Sequence, residues 1–142
     1  MASNDDVLLL DTSAALALID PTNPCHAAVR SATCGRALGL SGHATFEFYS
    51  VTTRLPFPAR LNGADAQRLI AVNFPSTRQL DARTSDGLVT EFANLGILGG
   101  AVFDGLVAAC ARAHRSTLVT CDQRAQRTYD LLGVSYQLIA AA

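Results

Sequence analysis

Apolar residues along this chain gather alternately into short unbroken runs and into helical stripes. Val7-Leu8-Leu9-Leu10 is an uninterrupted apolar run of strand length, as expected for a strand buried on both faces. A similar run covers 117–120, and shorter strands are predicted over 37–40, 77–80 and 134–138. Helices are predicted between them. The first covers 13–19, stopped by Asp20-Pro21, and the second runs from Asn23-Pro24 to 33, with Asn as cap and Pro in the first turn. Further helices are expected over 42–54, broken by Pro56-Phe57-Pro58, and from Asn62 to the Phe74-Pro75 stop. The last three run from the Thr84-Ser85-Asp86 cap to 95, over 101–114, and over 123–132, which Gly133 ends. Residues 96–100 read as a loop. Strands alternating with helices call for a parallel sheet covered on both sides. The expected fold is therefore α/β, a three-layer α/β/α sandwich with a central, mostly parallel sheet. Residues 1–142 form one domain in this reading, with 1–6 outside the folded part.

Composition narrows the chemistry. The 142 residues carry a formal net charge of -1, which gives no global bias towards nucleic acid or membrane. All eleven basic residues are arginines, and the absence of lysine removes a Walker-type phosphate loop. Receiver-like and haloacid-dehalogenase-like folds also place an Asp after an early strand. They commonly rely on a later Lys, and the second Asp of the D-x-D motif is replaced here by Ser13. Cys25, Cys34, Cys110 and Cys121 form no C-x-x-C pair, and Cys110 and Cys121 read as reduced core thiols. The polar, acidic start and the lack of an apolar span point to a cytoplasmic protein without a membrane segment.

Four acids then stand out. Asp11 ends the first apolar run, at the strand tip where open α/β sheets place their active sites. Asp122 ends the run from 117 in the same way. Asp104 opens a helix whose apolar stripe is Phe103, Leu106, Val107, Cys110 and Ala113, and whose charges appear only at Arg112 and Arg115. Glu47, one of two glutamates, sits among Phe46, Phe48 and Tyr49. Each has an ordinary explanation: Asp11 and Asp122 as helix caps, Asp104 as an acid in a first turn, Glu47 on a solvated face. Together they carry more weight, because a parallel sheet brings the ends of its strands and the starts of the following helices to one edge. Acids crowded there repel one another unless a cation compensates them, and all-oxygen ligands suit Mg²⁺ or Mn²⁺. The matching chemistry is phosphodiester hydrolysis. Ser13 with His26, His43 and His114 offers only a formal hydrolase inventory, since no G-x-S-x-G elbow is present.

The stretch Asp11-Thr12-Ser13-Ala14-Ala15-Leu16-Ala17-Leu18 resembles the opening of a PIN-domain protein, as does Glu47 followed by Ser50-Val51 and Arg54. Asp104-Gly105-Leu106-Val107-Ala108-Ala109-Cys110-Ala111 and Leu118-Val119-Thr120-Cys121-Asp122 complete the resemblance, in order and over the whole length. The nearest branch is that of VapC-like toxins, the ribonuclease half of type II toxin–antitoxin pairs. The resemblance implies that Asp11, Glu47, Asp104 and Asp122 form an acidic Mg²⁺ site with Asp11, Asp104 and Asp122 as ligands. It also implies Thr12, Ser13 and Thr120 as supporting hydroxyls, an RNA substrate, homodimers and a cognate antitoxin. Some relatives carry a further acid after the fourth motif, where this chain has Gln123 and Arg124. Arg54, Arg112, Arg124 and Arg127 are candidate contacts to RNA phosphates. Two alternatives stay open on the residues: a PIN-like binding module with little catalysis, and a metal-dependent phosphohydrolase of small esters.

Overall fold

In the computed structural model, which describes residues 6–141, the apolar run Val7–Leu10 forms β1, near the middle of a parallel sheet. The other strands are β2 (Ala37–Leu40), β3 (Thr117–Thr120) and β4 (Tyr136–Leu138), in the order β2-β1-β3-β4. Every pairing in the sheet is parallel. The fold is thus the expected three-layer sandwich, and its four-stranded sheet is parallel throughout.

Alternation along β1 divides the core. Leu8 and Leu10 face α1 (Thr12–Ile19), α2 (His26–Thr33), α3 (Ala44–Thr52) and α4 (Gly63–Asn73), where Ala14, Ala15, Val29, Phe48 and Phe74 complete one cluster. Val7 and Leu9 face the other layer, built from α6 (Leu88–Leu95), α7 (Ala101–Ala113) and α8 (Gln126–Leu132), with Phe92, Val107, Ala108, Ala111, Tyr129 and Leu132. A short α5 (Ala82–Asp86) precedes α6. The chain leaves β1 through α1 and α2 towards β2 on one side, and later reaches β3 on the other. The direction of winding therefore reverses between β1 and β3. A crevice opens at the carboxyl ends of strands at such a switch point.

Several boundaries depart from expectation for identifiable reasons. The strand expected over 77–80 is reduced to one bridge, Ser41 to Arg78. Ser76 N and Arg78 N donate to the Leu38 and Leu40 carbonyls, but the Leu40 N–H goes to the Thr77 hydroxyl at 3.0 Å instead of to a strand carbonyl. The helix expected from Thr84 to 95 is two helices parted at Gly87, and its cap is Asp81, whose Oδ1 accepts from Thr84 N at 2.7 Å. Asn23 accepts from Cys25 N, so it closes a turn, and α2 begins only at His26. The expected final helix starts as a 3₁₀ turn, Gln123–Ala125. The four cysteines are all free, and Cys110 is fully buried. Among the described residues, no helix is long and apolar enough to cross a membrane. The expectation for residues 1–6 lies outside the described residues for 1–5, and Asp6 is exposed just ahead of β1.

Gly39 in β2 is fixed by packing. A Cβ there would overlap the Ser76 carbonyl and the Thr77 nitrogen, both backbone groups that cannot rotate away. Gly39→Ala is expected to destabilise the protein by about 1–3 kcal/mol through overpacking. Urea denaturation of the two proteins side by side measures that difference.

Candidate active site

At the switch point, Asp11, Glu47, Asp104 and Asp122 line one cavity of about 210 Å³ together with Thr12, Ser13, Leu16, Val51 and Val107. All four acids that the sequence singles out meet there, delivered by four different elements. Asp11 follows β1 and caps α1, Glu47 lies in the first turn of α3, Asp104 in the first turn of α7, and Asp122 just beyond β3. Thr12 and Ser13 form the floor of the same cavity as the first turn of α1.

Asp11 is 5% exposed, yet both of its oxygens are satisfied. Oδ1 accepts from Ser13 Oγ at 2.7 Å and from Ala14 N at 3.0 Å, and Oδ2 accepts from Tyr129 Oη at 2.8 Å. The capping role and the site role thus fall on one residue. The hydroxyls extend the network across the sheet. Ser13 Oγ accepts from Cys121 N at 2.9 Å and lies 3.4 Å from Thr120 Oγ1, which in turn accepts from Asp122 N at 3.0 Å. The tips of β1 and β3 are therefore locked together by the side chains of Ser13 and Thr120.

The electrostatics are those of acids without enough cations. Burial, then the neighbouring charges of Asp122, Asp11 and Glu47, push the Asp104 carboxyl from 3.8 up to about 6, and Arg124 offsets this only in part. Burial raises Asp11 as well, against the lowering effect of its hydrogen bonds from Ser13, Thr120, Ala14 and Tyr129. Tyr129 is pushed upward by burial and by Asp11, so its phenol stays protonated and serves as a fixed donor. Among the described residues, no three of the acids draw together into a closed cluster of metal ligands. Mutual repulsion gives that spacing a physical reason. The donor set fits a hard divalent ion: carboxylate and hydroxyl oxygens, with Asp104 held away from its charged form by burial and by the other three acids.

The arginines are distributed unequally. Arg124 Nε lies 3.6 Å from Asp122 Oδ1, with its side chain 94% exposed, and Arg127 is exposed one turn on. Arg54, at the far end of α3, donates from Nη1 to Ser50 Oγ at 2.6 Å and is also exposed. Arg112 is a correction to the sequence reading. It lies eight residues beyond Asp104, about 12 Å along α7. There it forms a two-pronged pair with Glu91, at 2.7 and 3.0 Å, and donates to the Leu132 carbonyl at 2.9 Å. Its guanidinium fastens α7 to α6 and α8 instead of reaching the cavity.

The sequence reading missed Tyr129. In the stripe Ala125, Tyr129, Leu132 it reads as core, and it is fully buried. Its single distinguishing signal is that a buried phenol requires a hydrogen-bond partner.

Comparison with known proteins agrees with this geometry. A family model described as PIN domain matches residues 8–131. Ribonuclease VapC27 of Mycobacterium tuberculosis is 45% identical over 127 residues, covering 89% of this chain and 93% of that protein. Ribonuclease VapC40 of the same organism is 38% identical over 114 residues, 80% of this chain and 84% of that one. Among solved structures, VapBC2 from Rickettsia felis, bound to a DNA fragment from their promoter, superposes with a TM-score of 0.65 at 14% identity, covering 93% of this chain and 98% of that one. FitAcB from Neisseria gonorrhoeae gives a TM-score of 0.61 at 20% identity, with 91% and 95% covered. At these identities the structures speak for the fold alone.

The titration of Asp104 has a definite sign. Between 3.8 and about 6 the folded protein holds a proton that the unfolded chain has lost. Stability from this group is thus full below about pH 4 and is lost as the pH rises through 6. In divalent-free buffer, Asp104→Asn is expected to melt higher than the parent at pH 7, with the difference shrinking towards pH 4. Paired thermal melts at the two pH values check this. Tyr129→Phe leaves Asp11 Oδ2 buried without its donor and is expected to cost about 1–3 kcal/mol. The loss should be larger at pH 7 than at pH 4, because the phenol favours the ionised carboxylate; chemical denaturation at both pH values measures it.

Proposed function

Since the chain belongs to the PIN-domain family, we propose that it is a Mg²⁺-dependent endoribonuclease acting as the toxin of a toxin–antitoxin pair. The observation that carries this reading is the meeting of four acids in one cavity at the sheet's switch point, with Asp104 pushed upward by burial and then by the charges of the other three. The ribonuclease relatives at 45% and 38% identity support the activity, and the VapBC2 and FitAcB names of the structural neighbours support an antitoxin partner. A homodimer and a cytoplasmic setting complete the proposal.

Asp11, Asp104 and Asp122 would hold the Mg²⁺, or Mn²⁺ in its place. When bound, such an ion supplies charge stabilisation for the pentavalent phosphorus and lowers the pKa of water. The remaining work falls to the protein. Ser13, Ala14 and Tyr129 fix both oxygens of Asp11, so that this carboxylate does not rotate when the phosphate enters. Thr120 holds the backbone of Asp122, and Thr12 and Ser13 line the floor. Glu47, which lines the cavity, orients the attacking water and accepts its proton. The water oxygen attacks phosphorus while one bridging P–O bond breaks. Arg124 and Arg127, beside the mouth, and Arg54 would contact flanking phosphates, and the formal charge of -1 makes such a local arrangement necessary.

Purified, partner-free protein is expected to cut total cellular RNA into discrete fragments with Mg²⁺ and to leave it intact with EDTA. Asp104→Asn should lower the rate by at least about 100-fold, since loss of even an outer partner of a metal ligand typically costs 10–100-fold. Gel analysis of the three reactions decides the matter, and intact RNA in every lane would reject the nuclease.

A further inference from the structure

Two planar rings stand beside two of the acids that line the cavity, and nothing in the chemistry above uses them. His43 immediately precedes α3 and Phe103 immediately precedes Asp104 in α7. Their ring centroids lie 4.9 Å apart at an interplanar angle of 20°, a stacked arrangement. Each ring is tied to one of the acids. Phe103 is the sequence neighbour of Asp104, and His43 Nε2 lies 4.0 Å from Glu47 Oε2. The stack therefore bridges the two helices that carry Glu47 and Asp104. It is also open to solvent: Phe103 remains 50% exposed, and Phe46, three residues after His43 on the same side of α3, is 64% exposed.

Stacking occupies one face of each ring and leaves the other face of Phe103 able to take a third planar group. Beside a site that hydrolyses RNA phosphodiesters, the planar groups at hand are nucleobases. A base inside a duplex has both faces covered by its neighbours, so only an unpaired base can use such a ring. We infer that Phe103, backed by His43, is a stacking platform for an unpaired nucleobase next to the scissile phosphate. The inference rests on the ribonuclease reading and adds to it a residue that positions the RNA.

The test uses the full-length protein and a short oligoribonucleotide spanning a bond that the protein cuts in total RNA. Each base flanking the bond is replaced in turn by an abasic ribose. With the parent protein, one of these replacements is expected to raise KM roughly 5- to 100-fold, the range that base–aromatic stacking covers, with a smaller change in kcat. Phe103→Ala should show that rise on the intact oligonucleotide and lose nothing further on the abasic one, while Phe103→Trp should restore the parent's behaviour. Circular dichroism confirms that both variants fold. If Phe103→Ala cuts the intact oligonucleotide as the parent does, or keeps the full abasic penalty, the platform is rejected while the nuclease stands. The platform is rejected likewise if Phe103→Ala changes only the protein's association state, which would make the rings a protein contact. If the parent cuts no RNA at all, the nuclease reading fails and the platform falls with it.

Discussion

A carboxylate withdrawn from water at the tip of a central strand is the constraint around which this molecule is organised. Asp11 is nearly inaccessible, and a charge in that position is tolerable only if its oxygens are met by donors. Those donors come from both layers of the sandwich. Ala14 and Ser13 belong to α1 on one face of the sheet, and Tyr129 belongs to α8 on the other. The backbone N–H of Asp11 donates to the Val119 carbonyl of β3. One residue thus couples the two helical layers and the two strands that flank the switch point.

The remaining acids stand in a different relation to water. Asp104 enters from the start of α7, a helix packed by Ala108, Ala109 and Ala111 and fastened at its far end by Arg112 to Glu91 and to the Leu132 carbonyl. With α7 held along its length, Asp104 cannot relieve its repulsion by swinging away with the helix. Burial first, and then the charges of Asp122, Asp11 and Glu47, push its carboxyl upward. The cavity thus gathers charges that are mutually unfavourable in the absence of a compensating cation.

Much of this was legible in the sequence because it depends on local patterns. An unbroken apolar run marked β1 and a threonine-bounded one marked β3, and an acid following each run was enough to place Asp11 and Asp122 on a common edge. Asp104 could be singled out because its helix is otherwise free of charge until Arg112. What escaped was whatever depends on partners distant in sequence. Tyr129 looks like core until its hydroxyl is seen to reach Asp11, 118 positions away. Arg112 looks like a phosphate contact until Glu91 is seen beside it. The segment 77–80 has the composition of a strand, but a hydroxyl intercepts one of the hydrogen bonds that would have made it one.

That interception bears on solubility. The outer edge of β2 would otherwise present a row of free backbone groups, the kind of template on which another chain can add a strand. Here the Leu38 and Leu40 carbonyls are taken by Ser76 N and Arg78 N, and the Leu40 N–H by Thr77 Oγ1. The irregular segment 76–78 closes that edge without becoming a new strand that would expose an edge of its own. Gly39 makes this possible, since only a residue without a side chain lets the covering backbone lie so close. At the opposite side, β4 is three residues long and offers little to pair with. A chain rich in alanine and short apolar strands is in this way guarded against edge-to-edge aggregation by a single threonine hydroxyl and a glycine.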